Sequence, residues 1–512
     1  MKLHAVARCT GRSNAWLPLA VSCLAAWLLI GLAAAAPASE DGLAGSRPNI
    51  ILVMTDDQGY GQLAAHGHPF LKTPHLDRLY HSSTRFTQFQ VDPTCAPTRS
   101  ALMTGRYPFR NGITHTILER ERMTLAATTV AQLLEQAGFS TGIFGKWPLG
   151  DEADYQPEKR GFDEVFIHGA GGIGQAYDSS CADAPDNSYF DPVIRHNGRF
   201  VKTAGFCTDV FFTQALGWIK QQSGNKQPFF AYIATNAPHA PFVAPAEYRK
   251  RFEAMGLNTG PAGFFGMIEN IDHNVGRLLD KLDQWKLNEN TLLIFLSDNG
   301  TTGLGRGNLG TDRDGNHIAM FNAGMKGMKG SPEEGGTRVP AFFRWNGHLA
   351  SGRDIDTLAA HIDLLPTLLE FAGAKVPEQL EIDGRSLVPL LAGEQVQWPD
   401  RYLFFHVGRW PKFADPQEYR YDKCAVRSQR FRLVNNEQLF DMQQDPGQTT
   451  NVANKHPQVL KAMRDAYDAW WDSVQPLLVN EKVPNASQRP YHVWYQQQLK
   501  DEGIPAWQPP KL

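Results

Sequence analysis

The amino-acid sequence predicts an α/β fold: a large mixed, mostly parallel sheet sandwiched by helices, plus a small C-terminal α+β domain with a short antiparallel sheet. Short, nearly unbroken apolar runs at 49–54 (NIILVM), 228–235 (PFFAYIAT) and 291–297 (TLLIFLS) read as strands buried on both faces, since neither face needs a polar alternation. Segments with helical spacing of apolar residues occupy 128–137, 208–221 and 266–285, and strands alternating with helices imply parallel pairing covered on both sides. After about residue 400 the texture changes to short strand-like pieces at 402–406 and 431–434, closed by a helical stretch at 458–474. The large domain is therefore assigned to 45–400 and the small domain with its tail to 401–512. The final 30 or so residues, rich in Pro, Gln and Trp, read as an extended wrapping tail.

The N-terminus has the three-part layout of a secretory signal. Lys2, Arg8 and Arg12 precede an apolar run from Trp16 to Ala36, and the small residues Ala36-Pro37-Ala38 lead into polar Ser39-Glu40-Asp41. A run of about 20 apolar residues is long enough to span a bilayer, so an uncleaved anchor competes with cleavage. The small residues at its end favour a signal peptide at 1–38, export to a periplasmic or extracellular compartment and no stable membrane span afterwards. Beyond the signal only Cys95, Cys181, Cys207 and Cys424 remain, too few for a disulfide scaffold. Cys181 and Cys207 either bridge a loop or stay as buried thiols.

With 42% hydrophobic and 20% charged residues in 512, the chain can bury a sizeable core. Its 50 Lys+Arg against 53 Asp+Glu, a formal charge of −3, offer no electrostatic footprint for nucleic acid, which is excluded as a partner.

The first buried strand runs into Asp56-Asp57 and a later one into Asp298-Asn299. Open α/β sheets bind ligands beyond the carboxyl ends of their strands, so the two pairs are expected to converge. Each pair alone is more often a turn former. Together, three carboxylates and an amide oxygen form a hard ligand set suited to Ca²⁺ or Mg²⁺. Between them Pro97 is expected to open a helix, which sets Cys95 at its positive end, where anions are welcome, with Arg99 four residues on.

Cys95-Ala96-Pro97-Thr98-Arg99, continuing through Ser100 to Thr104-Gly105-Arg106, resembles the signature of the type I sulfatases, formylglycine-dependent and arylsulfatase-like members of the alkaline phosphatase superfamily. The resemblance extends to Gly145-Lys146-Trp147, Ala237-Pro238-His239 and Lys329-Gly330 ahead of Glu334-Gly335-Gly336-Thr337-Arg338-Val339-Pro340, and to Leu439-Phe440-Asp441 through Asp445-Pro446-Gly447 in the small domain. It implies that 45–400 is a catalytic domain that hydrolyses sulfate esters of carbohydrates or aryl alcohols. It further implies that a formylglycine-generating maturation enzyme converts Cys95 to 3-oxoalanine, whose hydrate is the nucleophile. One Ca²⁺ is then held by Asp56, Asp57, Asp298, Asn299 and the modified Cys95. Arg99 and the metal stabilise the nucleophile, Lys146 and Lys329 hold the sulfate oxygens, and His239 helps to protonate the leaving group. Lys326 rivals Lys329, whose spacing to Glu334 fits the family better.

One departure stands out. Where the family usually reads Lys-Trp-His-Leu-Gly, with the His assigned to deprotonate the second hydroxyl and expel sulfate, this chain has Lys146-Trp147-Pro148-Leu149-Gly150. Proline takes no proton, so either another base such as His168 in the following Gly-rich loop acts, or turnover is impaired and the protein is a sulfated-glycan binder. A phosphoryl ester hydrolase on the same scaffold is the other alternative. The loops from Gly169 to Thr203 and the C-terminal tail, which would shape the substrate pocket, match no motif. An Asn299-Gly300-Thr301 sequon is expected to stay unglycosylated because Asn299 faces the metal.

Overall fold

The apolar runs form the middle of a ten-stranded sheet. The computed structural model describes residues 42–302, 304 and 307–512, so the signal segment at 1–38 lies outside the described residues. In chain order the strands are β1 (Asn49–Thr55), β2 (Thr84–Phe86), β3 (Phe89–Gln90), β4 (Ser140–Lys146), β5 (Glu164–His168), β6 (Val193–His196), β7 (Arg199–Lys202) and β8 (Phe229–Ala234). They continue with β9 (Thr291–Ser297), β10 (Ala341–Arg344), β11 (Asp354–Ile355), β12 (Ala359–Ala360), β13 (Leu403–His406), β14 (Cys424–Arg427), β15 (Phe431–Val434) and β16 (Gln438–Asp441). The large sheet runs β11-β2-β10-β9-β1-β8-β4-β5-β6-β7. Its central block β9-β1-β8-β4-β5 is parallel, flanked by antiparallel pairings on both sides. β3 and β12 form a separate short pair.

Alternate residues of the central strands feed two cores, as a sheet covered on both faces requires. Ile50, Leu52 and Met54 of β1 join one core with the helices Val130–Gln136 and Leu364–Phe371. Ile51 and Val53 join the other with the helices Cys207–Ser223 and Thr259–Gln284. The helix at Val130 starts in a capping box, Thr129 with Gln132, which satisfies two otherwise orphaned amides.

β13 to β16 form an antiparallel sheet in sequence order, packed with the helix Pro457–Val474. Two expectations are corrected. The helix read at 266–285 begins earlier, at Thr259, because Gly263 and Gly266 weaken the apolar pattern while serving close packing, a Cβ on Gly263 meeting Phe242 O at 2.0 Å. The tail is not simply extended: it contains the helix Pro490–Asp501, after which Trp507 donates through Nε1 to Gln214 at 3.0 Å. Cys181 and Cys207 are both free, buried thiols. Among the described residues no helix is long and apolar enough to cross a membrane.

Candidate active site

The carboxyl ends of β1, β8 and β9 lie side by side. Their register sets Thr55 opposite Ser297, which brings Asp56-Asp57 level with Asp298-Asn299. The backbone stitches the ends together: Asp56 N donates to Ala237 O at 3.2 Å, and Asp298 N to Thr55 O at 3.1 Å. Asp57 takes a left-handed φ of 70°, a conformation that Asp tolerates better than most residues, and its N–H donates to Asp298 Oδ1 at 3.1 Å. Glycine is needed at two approaches. Gly145, at φ 115°, precedes Lys146, and a Cβ there would sit 2.0 Å from Ala234 O; at Gly300, a Cβ would meet Gly335 O at 1.8 Å.

Cys95 is the first residue of the helix Cys95–Thr104, all ten residues of which are buried. Pro97 is thus its third residue rather than its first, tolerated because amides of the first turn have no intrahelical acceptor. The strand-end residues and this helix start meet in one place. Asp56, Cys95 and Asp298 offer ligand atoms all within 4.8 Å of one another, and Asp56, Asp57 and His239 do the same.

Cations interleave with the carboxylates. Arg99 donates to Asp298 Oδ2 through Nε at 3.0 Å and its terminal nitrogen at 2.8 Å. Lys146 Nζ lies 2.5 Å from Asp56 Oδ2, and Lys329 Nζ lies 2.6 Å from Asp57 Oδ1. The rival Lys326 turns away to Glu333 at 3.9 Å and to the Phe440 ring. Burial and the neighbouring Asp298 charge push the Asp56 carboxyl up to about 8. Burial would raise Asp57 as well, but Lys329 and His239 outweigh it and hold this carboxyl below the usual carboxylate range. His239 is pushed down to about 3 by burial and by Lys329, with Nδ1 against Ala240 O at 2.7 Å and Nε2 4.0 Å from Asp57.

The donor set fits a hard divalent cation. Asp56 Oδ1 and Asn299 Oδ1 are buried without a hydrogen-bond partner, whereas buried polar atoms are nearly always paired. Asn299 holds its amide nitrogen on Asp57 Oδ1 at 2.8 Å, so its own oxygen is left free for an electropositive group. Asn299 is also fully buried, which keeps its sequon away from a glycan in the folded protein.

All nine predicted residues, Asp56, Asp57, Cys95, Arg99, Lys146, His239, Asp298, Asn299 and Lys329, are gathered at this spot. Pro148 is buried two residues beyond Lys146. His168 closes β5 rather than lying in the loop after it, paired in register with Lys146, with Nδ1 at 2.8 Å from Gly169 O and Nε2 buried without a partner. Several supporting residues carry no sequence signal. Tyr189 donates to His239 O and Ala240 O, both at 3.0 Å; Tyr232 OH accepts from Arg99 at 3.4 Å; and His361 reaches Asp92, ahead of Cys95, at 2.7 Å. Their partners lie far away in sequence, so only the folded chain identifies them.

The family model described as Sulfatase matches residues 48–374, and that described as N-sulphoglucosamine sulphohydrolase, C-terminal, matches 332–469. The chain is 33% identical to N-acetylgalactosamine-6-sulfatase of Canis lupus familiaris, over 76% of this chain and 74% of that protein. It is 31% identical to arylsulfatase A of Homo sapiens, over 85% and 89%. The crystal structure of Ps i-CgsB superposes with a TM-score of 0.72 at 28% identity, covering 89% of this chain and 98% of that one, and has also been solved in complex with k-i-k-neocarrahexaose.

Proposed function

From the premise that this chain belongs to the sulfatase family and is a sulfuric ester hydrolase, we propose that it cleaves sulfate esters of carbohydrates at the site around Cys95. The observation that carries this reading is the interleaving of three carboxylates with Arg99, Lys146 and Lys329 around Cys95, with oxygens of Asp56 and Asn299 left unpartnered.

A Ca²⁺ ion would be held by Asp56, Asp57, Asp298, Asn299 and the modified Cys95, and supplies positive charge beside the nucleophile. Converted to formylglycine by a maturation enzyme, Cys95 supplies the attacking hydroxyl. Its place at a helix start favours negative charge there. Arg99, fixed on Asp298, keeps a permanent positive charge next to Cys95. Lys146 and Lys329 present ammonium groups to the sulfate oxygens from opposite carboxylates, preorganised because both are already anchored. His239 donates to Ala240 O through Nδ1, so an incoming anionic ester favours a proton on Nε2, which is passed to the departing sugar oxygen. The alcohol leaves as a neutral molecule.

The names of the relatives favour a sulfated sugar: N-acetylgalactosamine-6-sulfatase among the curated proteins, and a neocarrahexaose and D-glucosamine-2-N,6-O-disulfate bound to solved neighbours. The same reading takes 45–400 as the catalytic domain, 401–512 as the smaller one, and the protein as exported after removal of 1–38. The test is a panel of N-acetylgalactosamine 6-sulfate, carrageenan oligosaccharides, D-glucosamine-2-N,6-O-disulfate and 4-nitrophenyl sulfate, each paired with its phosphate counterpart where one exists. Sulfate release from at least one sugar is expected, with phosphate release at least about 100-fold slower. Mass spectrometry of the peptide bearing Cys95 should show the aldehyde. An unmodified Cys95 in protein that still turns over would overturn the nucleophile assignment.

A further inference from the structure

The segment from Gly169 to Thr203 matches no motif, yet one of its side chains reaches the turn that carries His239. Ahead of β6 the chain curls around Asn187. Asn187 Nδ2 donates to Val193 O and to Asp183, both at 2.8 Å, while its Oδ1 accepts from Val193 N at 2.8 Å. The curl is tied to the start of the helix Cys207–Ser223: Cys207 N donates to Tyr189 O and Asp191 N to Gly205 O, both at 2.8 Å. Closed in this way, it buries the Tyr189 ring in the core that also takes Ile51 and Val53 of β1.

The hydroxyl of that ring lies 3.0 Å from both His239 O and Ala240 O, so its single proton is shared between two carbonyls. Ala240 O also accepts from His239 Nδ1 at 2.7 Å, and His239 Nε2, on the other side of the imidazole, is 4.0 Å from Asp57 Oδ2. The imidazole therefore spans the gap between a carbonyl that Tyr189 holds and the carboxylates of the site. Among the described residues Tyr189 is the sole donor to His239 O, and only Tyr189 and His239 itself donate to Ala240 O. The start of the turn is fixed from the strand side, where Ala237 O accepts from Asp56 N at 3.2 Å and from Thr235 Oγ1 at 2.8 Å. The orientation of a histidine ring is set by the hydrogen bond its second nitrogen makes. We propose that Tyr189 is a positioning residue for His239: by fixing Ala240 O it keeps Nδ1 engaged and Nε2 presented to the bridging oxygen of the sulfate ester. As the S–O bond breaks, its electron pair stays on that oxygen, which takes the Nε2 proton. This inference rests on the reading of His239 as proton donor to the leaving alcohol.

The test compares matured wild type, Tyr189→Phe, His239→Ala and the double variant on two esters: the sugar sulfate that the wild type cleaves fastest, and 4-nitrophenyl sulfate. A sugar alkoxide needs a proton to depart, whereas 4-nitrophenolate departs well without one, so the pair of esters isolates protonation of the leaving group. Tyr189→Phe keeps the buried ring and removes one hydroxyl. It should lower kcat on the sugar sulfate about tenfold and on 4-nitrophenyl sulfate by less than about threefold, with both KM values within about threefold. In the His239→Ala background the same substitution should change sugar cleavage by less than about twofold, because the residue it acts through is gone. An unchanged kcat on the sugar sulfate, an equal loss on both esters, or a tenfold loss that persists without His239 overturns the proposal. In each of those cases a selective loss of sugar cleavage in His239→Ala alone leaves the reading of His239 intact. A His239→Ala variant that cleaves the sugar sulfate at the wild-type rate defeats that reading first, and this inference with it.

Discussion

Two buried charge clusters in this molecule use the same residue types and end differently. In one, Glu334 lies between Arg427 and Arg432 where the large sheet meets the small one. Its oxygens accept from Gln90 at 3.1 Å and Arg432 at 2.7 Å. All three guanidinium nitrogens of Arg432 find acceptors among Pro332 O, Gln90, Glu334 and Thr337. In the other, around Cys95, Arg99, Lys146 and Lys329 meet three carboxylates, yet Asp56 Oδ1, Asn299 Oδ1 and His168 Nε2 are left without partners. In the first cluster both Glu334 oxygens are hydrogen-bonded, Arg427 Nε standing 3.5 Å from Glu334 Oε2 as an ion pair without a hydrogen bond, and the cluster fastens two sheets. The second is complete only when something else enters. Burial of charge says little by itself about which role a cluster has; unpartnered oxygens of Asp56 and Asn299, beside ligand atoms of Asp56, Cys95 and Asp298 that lie within 4.8 Å of one another, separate the two.

The sharpest way to break this contrast is Cys95→Ala. It removes one sulfur from a packed site and the precursor of the nucleophile, so ester cleavage should fall by on the order of 10⁴-fold or more with the thermal midpoint changed by only a few degrees. Retained cleavage would show that the unfinished cluster is not where chemistry occurs.

Glu334→Ala should do the reverse. Removing one partner of a buried ion pair leaves uncompensated charge, at a cost of about 3–5 kcal/mol in unfolding free energy, while kcat per folded molecule stays within about threefold. Arg427 and Arg432 overcome burial and hold this carboxyl below its ordinary value of 4.5. The stability it contributes is therefore complete above that value and declines as pH falls below it, a decline that Glu334→Ala should lack. Denaturant unfolding across pH measures both effects.

The contrast also bears on what could be read in the sequence. The strand doublets Asp56-Asp57 and Asp298-Asn299 were legible because each follows an unbroken apolar run, and Cys95 because a long motif surrounds it. Glu334 was visible as part of a motif, but its partners Arg427 and Arg432 sit about a hundred residues downstream, and ordinary arginines carry no sign of such pairing. The same holds for Tyr189, Tyr232 and His361, whose contacts are long-range. The tail helix Pro490–Asp501 was hidden because its Tyr, Gln and His residues make no clear apolar stripe, with only Tyr491 fully buried.

Removal of the cation proposed at the Cys95 site should separate the clusters by a smaller margin. A ligand present at about 100 times its dissociation constant stabilises the folded state by roughly 2.7 kcal/mol, so chelation should lower the thermal midpoint by several degrees and abolish activity, with Ca²⁺ restoring both. Asp298→Ala should lose the calcium-dependent part of the midpoint, whereas Glu334→Ala should keep it. An equal calcium shift in Asp298→Ala would remove Asp298 from the ligand set.

The smallest expected effect concerns His168, the third unpartnered group of the unfinished cluster. Since Gly169 O can only accept, Nδ1 carries the proton and Nε2 presents a lone pair. Burial, opposed by the Gly169 contact and reinforced by Lys146, pushes this histidine down to about 3, so the lone pair is free at neutral pH. With Pro148 unable to accept a proton, we propose that His168, paired in register with Lys146, is the neutral acceptor that orients a hydroxyl during turnover. Its loss should lower kcat about tenfold, the size of one well-placed hydrogen bond, with KM little changed. His168→Ala combined with Pro148→His should recover part of that loss, because the family's usual acceptor is then supplied from the neighbouring strand end. If His168→Ala leaves kcat unchanged while Pro148→His alone raises it, the wild type works without a base at this position, and the unpartnered Nε2 belongs with the packing of β5 rather than with the chemistry.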